Sequence, residues 1–396
     1  LGSCAYPRAE ERKIQLLKDA GYNAVRTAHN PPSTALLDAC DRLGMLVLDE
    51  SFDMWTMGKN PLDYHLYFEQ WWKYDTTSMV KRDRNHPSVY CWSIGNEIPE
   101  ITGKSSGALW AKRQADLVRF LDPTRPVTSA IHRGAEDIPL EERPPIEIDR
   151  RKVLKWIAEN GKPAFDPKAE DLWGDQTKAA ADTLDIVGYN YLYPRYENDG
   201  KKFPGRVIQA TETTAFDTYD FWKAVEKNDH VIGDFIWTAY DNLGEAGAGR
   251  VIWDLNEPLE GLVGQYPWLS CYQGDFDLDG NRRPQSYFRK IMWHLDDGVH
   301  LFTTHPSHTG KPCYGMGWQW ADVKRNWTFD AQYIGKPVKA EAYADCDEVE
   351  FLVNGKSFGR TKVEKLKAFM EVPYTPGKLE AVAWKGGRAI ARDGIA

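Results

Sequence analysis

Two glutamates close apolar segments of the sequence, and their carboxyl groups are the strongest candidates for chemistry. Glu97 closes the segment that begins at Ser88, and Glu212 closes the segment that begins at Arg206. Glycoside cleavage uses two carboxyl groups that flank one bond: one protonates the leaving oxygen and the other attacks the anomeric carbon. The two glutamates are far apart in the sequence, so only a fold that gathers the ends of its strands would bring them together.

Apolar strands that alternate with amphipathic helices are predicted to position these side chains. Seven strands are predicted, near residues 25, 47, 91, 128, 186, 209 and 234. Continuously apolar strands with helices between them indicate parallel βα units. We expect an α/β fold, a (β/α)8 TIM barrel whose first strand would precede Leu1, with functional residues at the carboxyl ends of its strands. A doubly wound open sheet is the alternative, but the Gly-rich loop typical of its first strand is absent.

The hydrophobic pattern changes in the last quarter of the chain. Apolar and polar residues alternate there in four predicted strands: Lys336–Ala344, Glu348–Val353, Ala368–Val372 and Lys378–Trp384. Such short alternating strands, with the hairpin signal Asn354-Gly355 between two of them, predict a small all-β immunoglobulin-like sandwich. We therefore expect a catalytic barrel over residues 1–305 and a sandwich over residues 306–396.

Composition excludes several classes of function. The 396 residues have a net charge of −8, which disfavours a nucleic-acid binder, and no apolar run approaches the length of a membrane span. The six cysteines show no Cys-x-x-Cys spacing, which disfavours a zinc ribbon. Aromatic residues make up 13% of the chain, with 16 Trp. Large rings with one polar atom suit sugar-binding sites, although a large core could also use them.

Four segments carry a resemblance to a known family. Residues 82–97 read RDRNHPSVYCWSIGNE, residues 25–32 read VRTAHNPP, residues 207–213 read VIQATET and residues 232–245 read IGDFIWTAYDNLGE. Together they resemble glycoside hydrolase family 2, the group of β-galactosidases, β-glucuronidases and β-mannosidases. The resemblance covers nearly all of residues 1–300 and is less distinct in the sandwich. It implies that two further sandwich domains and the first barrel strand precede Leu1.

The resemblance also implies roles for individual residues. Glu97 is expected to be the general acid/base and Glu212 the nucleophile of a retaining mechanism. Arg26 and Tyr191 are expected to hold Glu212 ionised, and its charge to raise the pKa of Glu97. The expected substrate-binding residues are Arg26, His29, Asp49, Asn96, Asn190, Tyr191 and Trp237. Asp49 and its neighbour Glu50 remain alternatives, because either could pair with Arg26 or contact the sugar.

Two departures from the family pattern bear on cofactor and substrate. Some family members bind Mg2+ just beyond strand 3, but residues 51–56 read SFDMWT and lack those ligands, so we expect no metal and no other cofactor. β-Glucuronidases of the family grip the substrate carboxylate with an Asn-x-Lys motif, and residues 269–273 read LSCYQ instead. A neutral sugar, above all galactose, is therefore favoured over glucuronate.

The sequence thus predicts a retaining exo-β-glycosidase that hydrolyses terminal β-D-galactosides. A β-glucuronidase or β-mannosidase of the same family, or a non-catalytic carbohydrate-binding barrel, remains the alternative. A carbohydrate is the expected ligand, with neither nucleic acid nor membrane as a partner, and a homo-oligomer is left open. A bacterial cytoplasm or periplasm is the expected location.

Overall fold

The computed structural model of the chain describes residues 6–102, 106–132, 152, 155, 167–256, 266, 268–315 and 317–396. Contacts divide the chain into two compact units, of which the second contains residues 238–396. The division into domains at residues 305 and 306 remains a prediction. No helix in the described residues has the length and apolar character needed to cross a bilayer.

Seven parallel strands form the sheet of the first unit, and their order in the sheet is their order in the chain. They are β1 Ala24–Arg26, β2 Leu46–Glu50, β3 Val89–Asn96, β4 Val127–His132, β5 Val187–Asn190, β6 Ile208–Thr213 and β7 Val231–Ile236. The two outermost strands, β1 and β7, also contact each other, so the sheet is a nearly closed barrel. The seven predicted strands and the TIM-like fold class are therefore confirmed.

Helices connect these strands, and the sequence marks where they begin and end. The α-helices among the described residues are α1 Pro7–Ala20, α2 Thr34–Leu43, α3 His65–Asp83, α4 Gly107–Leu121, α5 Pro167–Ala181, α6 Tyr196–Lys202, α7 Thr218–Lys227 and α8 Pro284–Met292. Short 3-10 helices span Pro99–Thr102, Tyr193–Arg195, Pro306–His308 and Ala331–Tyr333. Ser33 caps α2 by accepting a hydrogen bond from the amide of Leu36, and Gly44 ends that helix at a φ of 69°.

The second unit contains two four-stranded antiparallel sheets. Its strands are β8 His300–Thr304, β9 Val323–Lys324, β10 Pro337–Tyr343, β11 Glu348–Val353, β12 Lys356–Lys362, β13 Lys367–Pro373, β14 Leu379–Lys385 and β15 Arg388–Ile395. One sheet has the order β13-β10-β8-β9 and the other β12-β11-β14-β15. Buried side chains from both sheets, such as Val338 and Phe351, share one core. Asn354 and Gly355 both have positive φ, which confirms the predicted hairpin turn between β11 and β12.

Candidate active site

Polar side chains stand at the carboxyl ends of five strands of the parallel sheet. Arg26, Glu50, Asn96 and Asn190 are the last residues of β1, β2, β3 and β5, and Glu212 is the last but one of β6. Parallel strands of a barrel end at the same face, where (β/α)8 enzymes carry their catalytic groups. The hydrogen bonds among these residues show that all five meet in one cluster.

Arg26 is the centre of the cluster, because all three nitrogens of its guanidinium group donate to protein atoms. Nη1 lies 2.8 Å from Oε1 of Glu212, and Nη2 lies 2.9 Å from Oδ1 of Asn96. Nε and Nη2 reach the carboxylate of Glu50 at 2.7–2.9 Å. The side chains of Arg26 and Glu50 are 3% and 0% exposed. A charge buried this deeply is stable only when an opposite charge pairs with it. Arg26 therefore connects the ends of β1, β2, β3 and β6.

The carboxyl group of Glu212 is held at both oxygens. Arg26 donates to Oε1, and the Tyr191 hydroxyl donates to Oε2 at 2.7 Å. Burial is the largest influence on the pKa of Glu212 and raises it above the ordinary value, while the charge of Arg26 acts in the opposite direction. Both donors that the sequence predicted are thus in place, but the pKa shift is upward because burial outweighs them.

Glu97 directly follows β3 and belongs to the same network. Asn190 Nδ2 lies 3.0 Å from Oε1 of Glu97 and 3.0 Å from Oδ1 of Asn96. Thr211 donates to Oδ1 of Asn190 at 2.6 Å, which fixes the amide so that its nitrogen faces the carboxyl group. The charge of Glu97 contributes to the raised pKa of Glu212, so the two carboxyl groups are close enough to interact.

Backbone strain accompanies two of the site residues. Glu97 has a φ of 46° and Tyr191 a φ of 60°, a left-handed conformation that residues other than glycine seldom adopt. Each amide is tied to a neighbouring strand, that of Glu97 to Ala130 O and that of Tyr191 to Glu212 O, both at 2.8 Å. Strain of this kind costs about 1–3 kcal/mol per residue and clusters at functional sites.

His29 and Trp237 form an aromatic pair beside the carboxyl groups. Their rings stack with centroids 4.9 Å apart and planes 7° apart. His29 Nδ1 lies 2.9 Å from Oε1 of Glu50, and Nε2 lies 3.8 Å from Oε1 of Glu212. Burial lowers the pKa of His29, but the hydrogen bond and the charge of Glu50 outweigh burial and raise it. The pair thus places an imidazole and an indole ring beside the carboxyl groups of Glu50 and Glu212.

Asp49 does not join the cluster. Successive residues of a strand point to opposite faces, so Glu50 faces Arg26 while Asp49 faces the end of α3. Asp49 is 0% exposed there. Burial and the neighbouring Asp83 raise its pKa well above the ordinary value. Of the two carboxylates that the sequence left as alternatives, Glu50 is the one that the structure brings to Arg26.

Two further charged residues reach the cluster from the loop after β2, and the sequence pattern gave no signal for either. Asp53 Oδ1 accepts from Nδ2 of Asn96 at 2.9 Å and from Nζ of Lys59 at 2.6 Å. Lys59 Nζ also lies 3.0 Å from the carbonyl oxygen of Asn96. Irregular loops lack a periodic pattern, so spacing alone does not predict which of their side chains turn towards a site.

One group of residues in the described part of the chain has the spacing of metal ligands, and it lies apart from the cluster. It consists of Asp38, Asp41 and His86. Asp41 accepts from the amide of Ser88 next to the first residue of β3, the end of that strand opposite Asn96. His86 already lies 2.6 Å from Asp41. The expected absence of a metal in the active site remains a prediction.

Comparison with known families gives two matches along the chain. The family described as "Glycosyl hydrolases family 2, TIM barrel domain" matches residues 4–141. A domain of unknown function, DUF4982, matches residues 335–391 and thus lies in the second unit.

Curated relatives and solved structures match the whole chain. The β-galactosidase BoGH2A of Bacteroides ovatus is 29% identical over 100% of this chain and 46% of its own length. A putative β-glucuronidase of Formosa agariphila is 27% identical over 96% of this chain and 34% of its own length. The crystal structure of a glycosyl hydrolase family 2 member from Bacteroides cellulosilyticus has a TM-score of 0.81 and 40% identity, covering 100% of this chain and 46% of that one. This chain therefore spans about half the length of these proteins or less.

Proposed function

Because the chain belongs to glycoside hydrolase family 2, we propose that it carries the catalytic site of a retaining exo-β-glycosidase that hydrolyses terminal β-D-galactosides. Glu212 is the nucleophile and Glu97 the general acid/base. The observation that carries the proposal is the difference in hydrogen bonding between the two carboxyl groups. Arg26 and Tyr191 donate to the two oxygens of Glu212, whereas Glu97 receives an amide hydrogen at one oxygen.

The reaction follows from these contacts in two steps. An oxygen of Glu212 attacks the anomeric carbon while Glu97 transfers its proton to the leaving oxygen, which gives a covalent glycosyl-enzyme. Esterification removes the charge of Glu212, and the carboxylate of Glu97, which has given up its proton to the leaving group, then accepts a proton from water. That water attacks the anomeric carbon and releases the sugar with its original configuration. This course requires the two carboxyl groups to lie about 5–5.5 Å apart.

The charges around the cluster support a neutral glycone. The basic side chains that enter it already have carboxylate partners: Arg26 pairs with Glu50 and Glu212, His29 with Glu50, and Lys59 with Asp53. A substrate carboxylate would enter beside these negative groups, and like charges brought together without solvent are unfavourable. A galactoside presents only hydroxyl groups, which can donate to the carboxylates and accept from the cations.

A β-glucuronidase is the second candidate, and Lys59 is the observation that favours it. Its side chain is 22% exposed, so its ammonium group is accessible to a ligand. The Formosa relative carries the name of that activity. A substrate carboxylate at Lys59 would lie beside the negative charge of Asp53, and this repulsion places the second candidate behind the first.

Aryl β-glycosides distinguish the candidates directly. We expect the full chain to cleave 4-nitrophenyl β-D-galactoside with a higher kcat/KM than the corresponding glucuronide, mannoside or glucoside. A 2,4-dinitrophenyl 2-deoxy-2-fluoro-β-galactoside should inactivate it, and peptide mapping should find the label on Glu212. A higher kcat/KM for the glucuronide would establish the second candidate. Absence of both cleavage and label would leave a non-catalytic carbohydrate-binding barrel.

Substitution separates the two catalytic roles. Glu97→Gln should lower kcat/KM about 10²–10⁴-fold on substrates with poor leaving groups. Attack on a dinitrophenyl galactoside should be retained, because that leaving group needs no proton. Glu212→Gln should abolish cleavage of both. Glu226→Gln is the matched control, since Glu226 lies exposed on α7 and pairs with Lys223 there.

A further inference from the structure

The loop after β2 brings an ion pair against Asn96, the residue to which the family resemblance assigns the sugar 2-hydroxyl. Asp53 and Lys59 lie 2.6 Å apart, and each contacts Asn96, one at its side chain and the other at its carbonyl oxygen. Neither residue has a part in the two-step reaction, and the described hydrogen bonds of the pair go to Asn96 and not to Glu97 or Glu212. Their function therefore needs a separate account.

The pair retains hydrogen-bonding capacity that no described residue uses. Asp53 receives both of its hydrogen bonds at Oδ1, so Oδ2 has its acceptor sites available. Lys59 Nζ donates two of its three hydrogens, to Asp53 and to Asn96. Asp53 thus has an acceptor, and Lys59 a donor, available for a polar group of a ligand.

The pair is also accessible. The side chain of Asp53 is 31% exposed and that of Lys59 is 22% exposed. Asp53 and His29 both line a cavity of about 440 Å³. His29 also contacts Glu50 of the cluster, so Asp53 is accessible from a cavity that borders the cluster.

The order of contacts indicates which hydroxyl the pair would meet. In the proposed reaction the anomeric carbon lies between Glu97 and Glu212, and Asn96 faces the hydroxyl at the next carbon. Both oxygen acceptor sites of the Asn96 amide are filled by Arg26 and Asn190, and its nitrogen donates to Asp53. Asp53 thus lies one step further from the anomeric centre than Asn96, beside the third carbon.

We propose that Asp53 and Lys59 bind the 3-hydroxyl of the glycone, with Oδ2 of Asp53 accepting its proton and Nζ of Lys59 donating to its oxygen. The assignment rests on the proposed function, whose glycone subsite it details. A charged acceptor that loses its hydroxyl partner remains desolvated, so a 3-deoxy sugar should bind about 10- to 100-fold more weakly. A sugar substituted at O3 has no proton for Asp53, which would confine the enzyme to unsubstituted terminal residues.

Binding rather than turnover is the first readout, because it holds whether or not the chain hydrolyses a glycoside. Methyl 1-thio-β-D-galactoside and its 2-deoxy and 3-deoxy analogues would be titrated calorimetrically into the full chain carrying Glu97→Gln. The same titrations would be repeated with Asp53→Asn or Lys59→Met added. The affinity ratio of parent to 3-deoxy sugar should fall towards one in both added variants, while the ratio for the 2-deoxy sugar persists.

Lys112 and Asp116 supply the matched control, because they form an exposed ion pair of the same 2.6 Å length on α4. Lys112→Met should leave both ratios unchanged. Loss of the 2-deoxy ratio with the 3-deoxy ratio intact would overturn the proposal, since the pair would then act only by orienting Asn96. Absence of any thiogalactoside binding would overturn it as well. Binding with the predicted 3-deoxy dependence but no cleavage by the parent chain would instead refute the proposed hydrolysis alone.

Discussion

Replacement of Glu50 by glutamine tests whether the ion pair with Arg26 stabilises the whole cluster. Burial by itself would raise the pKa of Glu50, but the charge of Arg26 and the hydrogen bond with His29 outweigh burial and lower it from 4.5 to about 2. The group is fully buried, so solvent screens these interactions little. The difference between the folded and unfolded values corresponds to about 3 kcal/mol of stability at pH 7.

The sign of the pH dependence follows from the lowered pKa. The unfolded chain takes up the proton near pH 4.5, whereas the folded chain takes it up only near pH 2. The contribution of Glu50 is therefore present above pH 4.5 and is lost as the pH falls towards 2. We expect Glu50→Gln to lower the free energy of unfolding by about 3 kcal/mol at pH 7, and by roughly 1 kcal/mol less at pH 4. Urea unfolding followed by tryptophan fluorescence at both pH values measures this.

Glu197 provides a control with the same pKa and the opposite burial. Hydrogen bonds from Lys227 and Lys201 lower its pKa to about 2 as well, but the group is fully exposed on α6. Because solvent and salt screen exposed pairs, Glu197→Gln should leave the free energy of unfolding unchanged. The reasoning fails if both variants lose equal stability, or if the loss in Glu50→Gln grows as the pH falls from 7 to 4.

Three further substitutions have outcomes that the structure predicts. Asp49→Asn should stabilise the chain at pH 7. Burial and Asp83 raise the pKa of Asp49, so its contribution to stability is lost as the pH rises above 3.8. Thermal unfolding at pH 5 and pH 8 measures the change in stability. Tyr191→Phe should move the acid limb of the kcat/KM profile to higher pH, since Glu212 loses a hydrogen bond that favours its charged form. Trp237→Ala should raise KM for aryl galactosides about tenfold, because the ligand loses a stacking contact with the indole ring that contributes about 1–1.5 kcal/mol.

Each of these outcomes has a clear opposite. If Asp49→Asn and the parent chain unfold at the same temperature at both pH values, Asp49 is ionised in the fold. An acid limb that stays in place in Tyr191→Phe would remove Glu212 as the group that must be ionised. An unchanged KM in Trp237→Ala, with kcat also unchanged, would place the sugar away from that ring.

The positions of Glu97 and Arg26 in the candidate site were predictable because both residues lie at the ends of regular elements. Glu97 closes a long, specific motif, and Arg26 closes a short strand, so a sequence reading places both at the carboxyl face of a barrel. Their partners depend on finer geometry. Asp49 and Glu50 are adjacent carboxylates on one strand, and a register irregularity between Val47 and Leu48 lies just before them. Composition does not distinguish the two, since both are buried and only the direction of each side chain decides which one meets Arg26.

The loop residues and the sandwich edges show a different limit. Asp53 lies in a loop whose path is set by tertiary contacts rather than by a repeating pattern. In the second unit the sequence predicted four strands, and the structure has eight. The edge strand β12 was missed because it exposes residues on both faces, so its sequence lacks the alternation of a half-buried strand. Burial on one face is the signal that sequence periodicity reports.

The anchoring of both carboxyl groups has a consequence for motion during turnover. Glu212 is fixed by a guanidinium that also ties three other strand ends, and Glu97 is fixed through Asn190 to the same network. Moving the carboxyl group of Glu97 would break its hydrogen bond with Asn190, and moving that of Glu212 would break those with Arg26 and Tyr191. In the proposed reaction the anomeric carbon therefore covers the distance between the two carboxyl groups, as the sugar ring changes its pucker. The carboxyl separation should then be the same in the free, covalent and product-bound states.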